Sequence, residues 1–157
     1  MRGRAEVERQ KQKLDATFTR ASKLVQLDDP ELLSDAARYL CVLVAGLLEQ
    51  AVIELALEPV RNHSEASVQR YAENRLRLFT SAKAQRITEL VGTFDADWRS
   101  DLESYLVDER KDAVDSVIAL RHLISHGRSV GLTMAAIKNY YSRVKPVIDH
   151  IADLCAP

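Results

Sequence analysis

Residues 39–57 read YLCVLVAGLLEQAVIELAL, and this run decides the fold. From Leu32 to Leu57 the chain is apolar almost all round, with Glu49 set among the apolar residues. A helix that is apolar on every face is the composition of a central helix surrounded by others. Its start is marked by Asp29-Pro30-Glu31, which offers a side-chain acceptor at the N-cap, a proline at the first helical position and an acid in the first turn. Pro59 and the segment Arg61-Asn62-His63-Ser64 close it.

Outward from this helix the pattern remains helical. Val7, Leu14, Phe18, Ala21 and Val25 recur at helical spacing and predict an amphipathic N-terminal helix or extension over residues 1–28, ending near Asp28 and Asp29 and packing peripherally. Residues 65–91 carry Val68, Tyr71, Leu76, Phe79, Ile87 and Leu90 among charges, and Gly92 stops that segment. Asp95 caps a further helix through Trp98, Leu102, Leu106, Val114, Val117, Ile118 and Ile124, with a break near Glu109 to Asp112. After a turn at Gly127 to Gly131, Thr133 caps a last helix bearing Ile137, Tyr140, Tyr141, Val144 and Ile151, kinked at Pro146. Five Gly, four Pro and no sustained alternation of period two exclude a sheet. The expectation is an all-α single bundle of about five helices, with the main domain at 29–157.

Composition narrows the function classes. Twenty-two Lys and Arg against 23 Asp and Glu leave a net charge of -1, which excludes a histone-like polyanion binder. Any nucleic-acid surface must therefore be local. One such region is residues 61–86, where six basic residues face two acidic ones, while residues 95–115 hold eight acids against three bases. Arg70, Arg75, Arg77, Lys83 and Arg86, with Arg128 just past the later glycine turn, are the candidates for binding a phosphate backbone. Cys41 and Cys155 have no metal-ligand spacing and suit a reducing cytoplasm. The N-terminus lacks the apolar core of a secretory signal, and the uncharged run Tyr39 to Leu48 falls short of the roughly 20 residues that cross a bilayer, so no membrane span is expected.

The chemistry concentrates in residues 116–127, SVIALRHLISHG. Arg121 falls in the middle of the apolar stripe made by Val114, Val117, Ile118 and Ile124. A guanidinium there must meet a carboxylate, escape to a rim or face an anionic ligand, and each option marks a special site. Asp115, His122 and His126 share the adjoining stripe, close to a helix end that Gly127 is suited to cap. Those three groups could also hold a zinc ion, although no cysteine lies nearby. On one helix Arg121 and His126 point about 140° apart. A two-fold axis beside the helix would gather both pairs from two chains into one cleft, with the apolar stripe as contact surface, so the chemistry predicts a homodimer.

Arg121-His122 followed by His126-Gly127 resembles the Arg-polar-x3-His signature of HEPN domains. The segments LCVLVAGLLEQAVIELAL, VQRYAENRLRLF, KAQRITELVGTF and ALRHLISHGRSVGLTMAAIKNYY are similar to the RiboL-PSP-HEPN branch over about residues 30–152. The resemblance implies cleavage of RNA at a dimer interface without a metal or other cofactor. In that reading His126 takes the proton of a ribose 2′-OH, Arg121 stabilises the charge growing on the phosphate, and His122 either is the second acid or base or positions the phosphate. Glu49 orients Arg121 or a histidine, as a polar residue on that helix does in some relatives. The family commonly has Asn after the Arg, where this chain has His122.

The implied role is a ribonuclease of toxin or phage-defence type. The rival readings are a non-catalytic RNA-binding module, in which His122 in place of Asn has cost turnover, and an accessory or antitoxin-like subunit tied to a cognate operon partner through apolar helix faces. Plain structural roles stand beside the catalytic ones: Arg121 as the partner of Glu49, His126 as a residue favoured by the helix dipole. His63 and His150 read as exposed residues without a role, and Tyr140 and Tyr141 as core.

Overall fold

The computed structural model describes residues 2–157, and all its regular structure is helical among those residues. Seven α-helices follow in order: α1 Arg2–Ser22, α2 Pro30–His63, α3 Ala66–Leu76, α4 Ala84–Phe94, α5 Ala96–Tyr105, α6 Asp108–Ser125 and α7 Met134–Cys155. A short 3-10 turn, Lys23–Leu27, joins α1 to α2.

The 34-residue α2 is the axis of the molecule, packed by α1, α3, α6 and α7. It begins where the start signal lies, with the Asp29 side chain accepting from the backbone N–H groups of Glu31 and Leu32. Leu40, Cys41, Val44, Leu48, Ala51 and Leu55 are fully enclosed. Truncating one of the enclosed leucines to alanine would cost about 2–5 kcal/mol. By length and composition α2 could cross a membrane, yet 61% of its most apolar window is buried within the protein, as in the core helix of a bundle. The helix is not covered on every face, however. Tyr39, 60% exposed, and Val42, 39% exposed, leave a strip open beside α1.

The expected count of about five helices is too low because two segments divide. Residues 65–91 become α3 and α4, separated by a loop in which Ser81 takes a φ of 54°. The second break falls at Leu106 and Val107 rather than at Glu109–Asp112, and Asp108, the first residue of α6, adopts a φ of 50°. The central helix closes within the expected segment, whereas the expected stop at Gly92 does not end its helix. α2 runs through Pro59 to His63, and α4 runs through Gly92 to Phe94. Gly92 serves packing instead: a Cβ there would lie 2.7 Å from Arg99 Cδ on α5.

The first helix is part of the core, not a peripheral extension. Val7, Leu14 and Phe18 are buried, and the Phe18 and Tyr141 rings stack at 4.6 Å. The Tyr141 hydroxyl donates to Asp15 Oδ1 at 2.6 Å, and burial together with that carboxylate pushes its pKa upward. Lys11 Nζ reaches Asp149 on α7 at 2.6 Å. At the start of α1 the Gly3 N–H donates to Glu58 Oε1 at 2.6 Å, and a Cβ on Gly3 would lie 2.7 Å from the Glu54 carbonyl. Only a glycine lets the two helices come this close.

Candidate functional site

α6 carries the site, and two features of its sequence fix it in place. Val114, Val117 and Ile118 are buried against α2 and α7, which sets the rotation of the helix. Its C-terminus closes in a Schellman arrangement: Gly127 has a φ of 68° and donates to the Ile124 carbonyl, and Arg128 N–H reaches the Leu123 carbonyl at 3.0 Å. The helix thus ends at His126, and the chain leaves sharply beyond it.

Arg121 meets a carboxylate. Its Nη2 lies 2.6 Å from Glu49 Oε1 on α2, with 24% of the arginine side chain and 12% of the glutamate exposed. The alignment is that of an ion pair rather than of a directed hydrogen bond, so Glu49 Oε1 has no hydrogen-bond donor in the usual geometry. The guanidinium also acts on Cys41, whose thiol is pushed up to about 11 by burial against the opposing pull of the Arg121 charge. Glu49 itself lines an open cavity of about 970 Å3 between α1 and α2, floored by Leu14, Leu43 and Leu47 and rimmed by Lys13 and Arg20.

His122 and His126 are both exposed, and their rings meet edge to face with centroids 4.5 Å apart. The structure brings these two imidazoles together and joins Glu49 to Arg121. Asp115, on the same stripe in sequence, is engaged elsewhere: its Oδ1 accepts the Ala84 N–H at 2.9 Å and so anchors the N-terminus of α4. Among the described residues no group of three or more His, Cys, Asp or Glu is arranged to hold a metal ion.

Most of the apolar stripe of α6 is used inside the protomer, and Ile124 alone of its four residues is partly exposed. Val114, Val117 and Ile118 are at most 2% exposed inside one protomer. Beside Arg121 the helix keeps Ala119 exposed and Leu120, Leu123 and Ile124 partly exposed.

Arg70, Arg75, Arg77, Lys83, Arg86 and Arg128 are all exposed. None of the six has a carboxylate within ion-pair distance among the described residues. Arg61 is different in kind. It is 14% exposed, bound to Glu58 at 3.0 Å and Glu54 at 3.2 Å, and so contributes nothing to a free basic surface. His150 is not a bare surface residue either, since its ring stacks on Tyr105 at 3.9 Å and contacts Asp101. Sequence reading missed the role of Asp115, whose only advance signal was an acid at a spacing that suited the histidines.

A family model described as RiboL-PSP-HEPN matches residues 5–156, nearly the whole chain and including α1. No curated protein and no solved structure matches the chain.

Proposed function

This chain belongs to the RiboL-PSP-HEPN family, and we propose that it is an endoribonuclease of toxin or phage-defence type, acting as a homodimer without a metal. One observation carries the reading. A guanidinium held by Glu49 and a pair of exposed imidazoles in contact occupy the last two turns of one helix.

His126 accepts the proton of a ribose 2′-OH, and the freed oxygen attacks the adjacent phosphorus. The bond from phosphorus to the 5′-oxygen breaks, and that oxygen takes a proton from His122. The products are a 2′,3′-cyclic phosphate and a 5′-hydroxyl. Arg121 donates to the phosphate oxygens as their charge rises, and DNA is spared because it lacks the attacking hydroxyl. Glu49 positions Arg121 from behind.

The second copy docks on the open strip of α2. Tyr39 and Val42 are exposed there, and a Cβ on Gly46 would meet nothing within 4 Å, so another backbone can approach closely. Because Glu49 lines this groove, a chain seated in it lies beside the Arg121 ion pair. The same groove supports the other reading, a non-catalytic RNA-binding or accessory module held to a cognate operon partner.

Incubating the purified protein with total RNA in EDTA tests the proposal. Cleavage by the parent protein that disappears in His126→Ala supports it, and RNA binding without cleavage rejects it in favour of the binding module. A stoichiometric second protein that co-purifies and fills the α2 groove supports the accessory reading.

A further inference from the structure

Between α3 and α4 lies a cavity of about 580 Å3 whose wall includes Tyr71, Leu78, Phe79, Phe94, Arg75 and Arg86 and contains no carboxylate. Three of its large apolar side chains face solvent: Tyr71 is 66% exposed, Leu78 70% and Phe94 38%. Phe79 is buried at its floor, and the Arg86 guanidinium lies 5.6 Å from the Phe79 ring centroid. Surface aromatics grouped in a concave wall are costly to leave wet. The cations among them have no acid in the wall to pair with, which leaves their donors open to an anionic ligand.

An acidic peptide would answer the arginines and leave the ring faces unused. An apolar peptide would cover the rings and strand the charges. A single-stranded nucleic acid meets both demands, because each nucleotide brings one flat π-face and one phosphate. We propose that this cavity is a nucleotide-binding subsite, in which Tyr71 and Phe94 stack on an unpaired base of single-stranded RNA while Arg75 and Arg86 hold the flanking phosphates. The inference rests on the RNA reading of the α6 site and adds a second point of contact. The two are mechanically joined, since Asp115 on α6 holds the first amide of α4 at 2.9 Å. Arg121 lies six residues further along α6, a rise of about 9 Å. RNA gripped in the cavity is thereby held against a fixed frame for the residues that act on it.

The test measures fluorescence anisotropy with a short 2′-O-methyl oligouridylate, which binds but cannot undergo 2′-OH attack. Tyr71→Ala and Phe94→Ala should each weaken binding about fivefold or more, the loss expected of one stacked base. Tyr71→Leu, which keeps apolar bulk at an exposed position, should be as weak as Tyr71→Ala. Arg75→Ala should weaken binding and flatten its salt dependence by about 0.7 in the logarithmic slope. On an abasic phosphodiester of equal length the aromatic substitutions should have no effect, while Arg75→Ala should still weaken binding. Unchanged affinity in both aromatic variants, with native thermal unfolding, overturns the subsite. So does an equal aromatic effect on the abasic strand, or displacement of the RNA by oligoglutamate at equal concentration. The nuclease reading fails separately: a parent protein that binds the methylated strand through Tyr71 yet cleaves no unmodified RNA loses its activity, not its subsite.

Discussion

Glu49 Oε1 and Arg121 Nη2 stand 2.6 Å apart and tie the central helix to the helix that bears the histidines. The pair is mostly sheltered from solvent, so removing one member strands the other. Glu49→Ala should destabilise the fold by about 1–3 kcal/mol, read as a lower urea midpoint. The double variant Glu49→Leu with Arg121→Met should recover most of that stability and none of the cleavage. Recovery of both would assign Arg121 a structural role alone.

His126→Ala should reduce RNA cleavage by about 100-fold to 10,000-fold, the range for loss of a general acid or base. His122→Asn, which supplies the residue type usual in the family, should retain measurable turnover. Single-turnover assays in EDTA with end-group analysis measure both. Products ending in a 3′-phosphate without any cyclic intermediate would count against 2′-OH attack.

Tyr39→Glu should separate the proposed dimer, because it sets a charge on the open strip of α2 where Gly46 permits close approach. Light scattering coupled to size exclusion reads the mass. The monomer should unfold with the same cooperativity as the parent protein and cleave RNA far more slowly. A parent protein that is already monomeric at micromolar concentration sinks the shared-cleft mechanism.

Gly3→Ala should weaken the docking of α1, since the added methyl meets the Glu54 carbonyl at 2.7 Å and neither helix backbone can yield cheaply. A loss of about 1–3 kcal/mol is expected. Faster proteolysis within α1 than within α7 would localise it. An unchanged melting temperature would show that the two helices separate without cost.

Cys41 and Cys155 are free and buried, and burial pushes their thiols up to about 11 and about 12. Below those values both remain protonated and poorly nucleophilic. At pH 8 a disulfide reagent should leave the native protein unlabelled and titrate two thiols once denaturant is added. Rapid native labelling of either would mean that its surrounding helices open easily.

What could be read in advance was local. The caps at Asp29, Asp95 and Thr133 depend on a few neighbouring amides, and each accepts the hydrogen bonds its sequence position suggested. Arg121 was conspicuous because a permanent charge on an apolar stripe needs an external explanation, and Glu49 on the central helix was the candidate partner that the structure supplies. The features that escaped depend on distant partners. Arg61 counted as a free cation until Glu54 and Glu58 enclosed it. Asp115 matched the histidines in spacing but turns to Ala84, 31 residues away. Gly92 carries a stop signal in sequence, whereas the nearness of Arg99 on the next helix explains it. Which strip of α2 would stay open was equally hidden, since its apolar residues look alike on every side.

The enclosure of α2 by helices from both ends of the chain has a consequence for synthesis. A polypeptide emerging from the ribosome presents this apolar rod long before α7 exists to cover it. α1, made first and already amphipathic, can shield one side at once through Val7, Leu14 and Phe18. The N-terminal helix is thus an in-built escort for its neighbour, and a shortened gene product lacking it should collect in inclusion bodies before any question of activity arises.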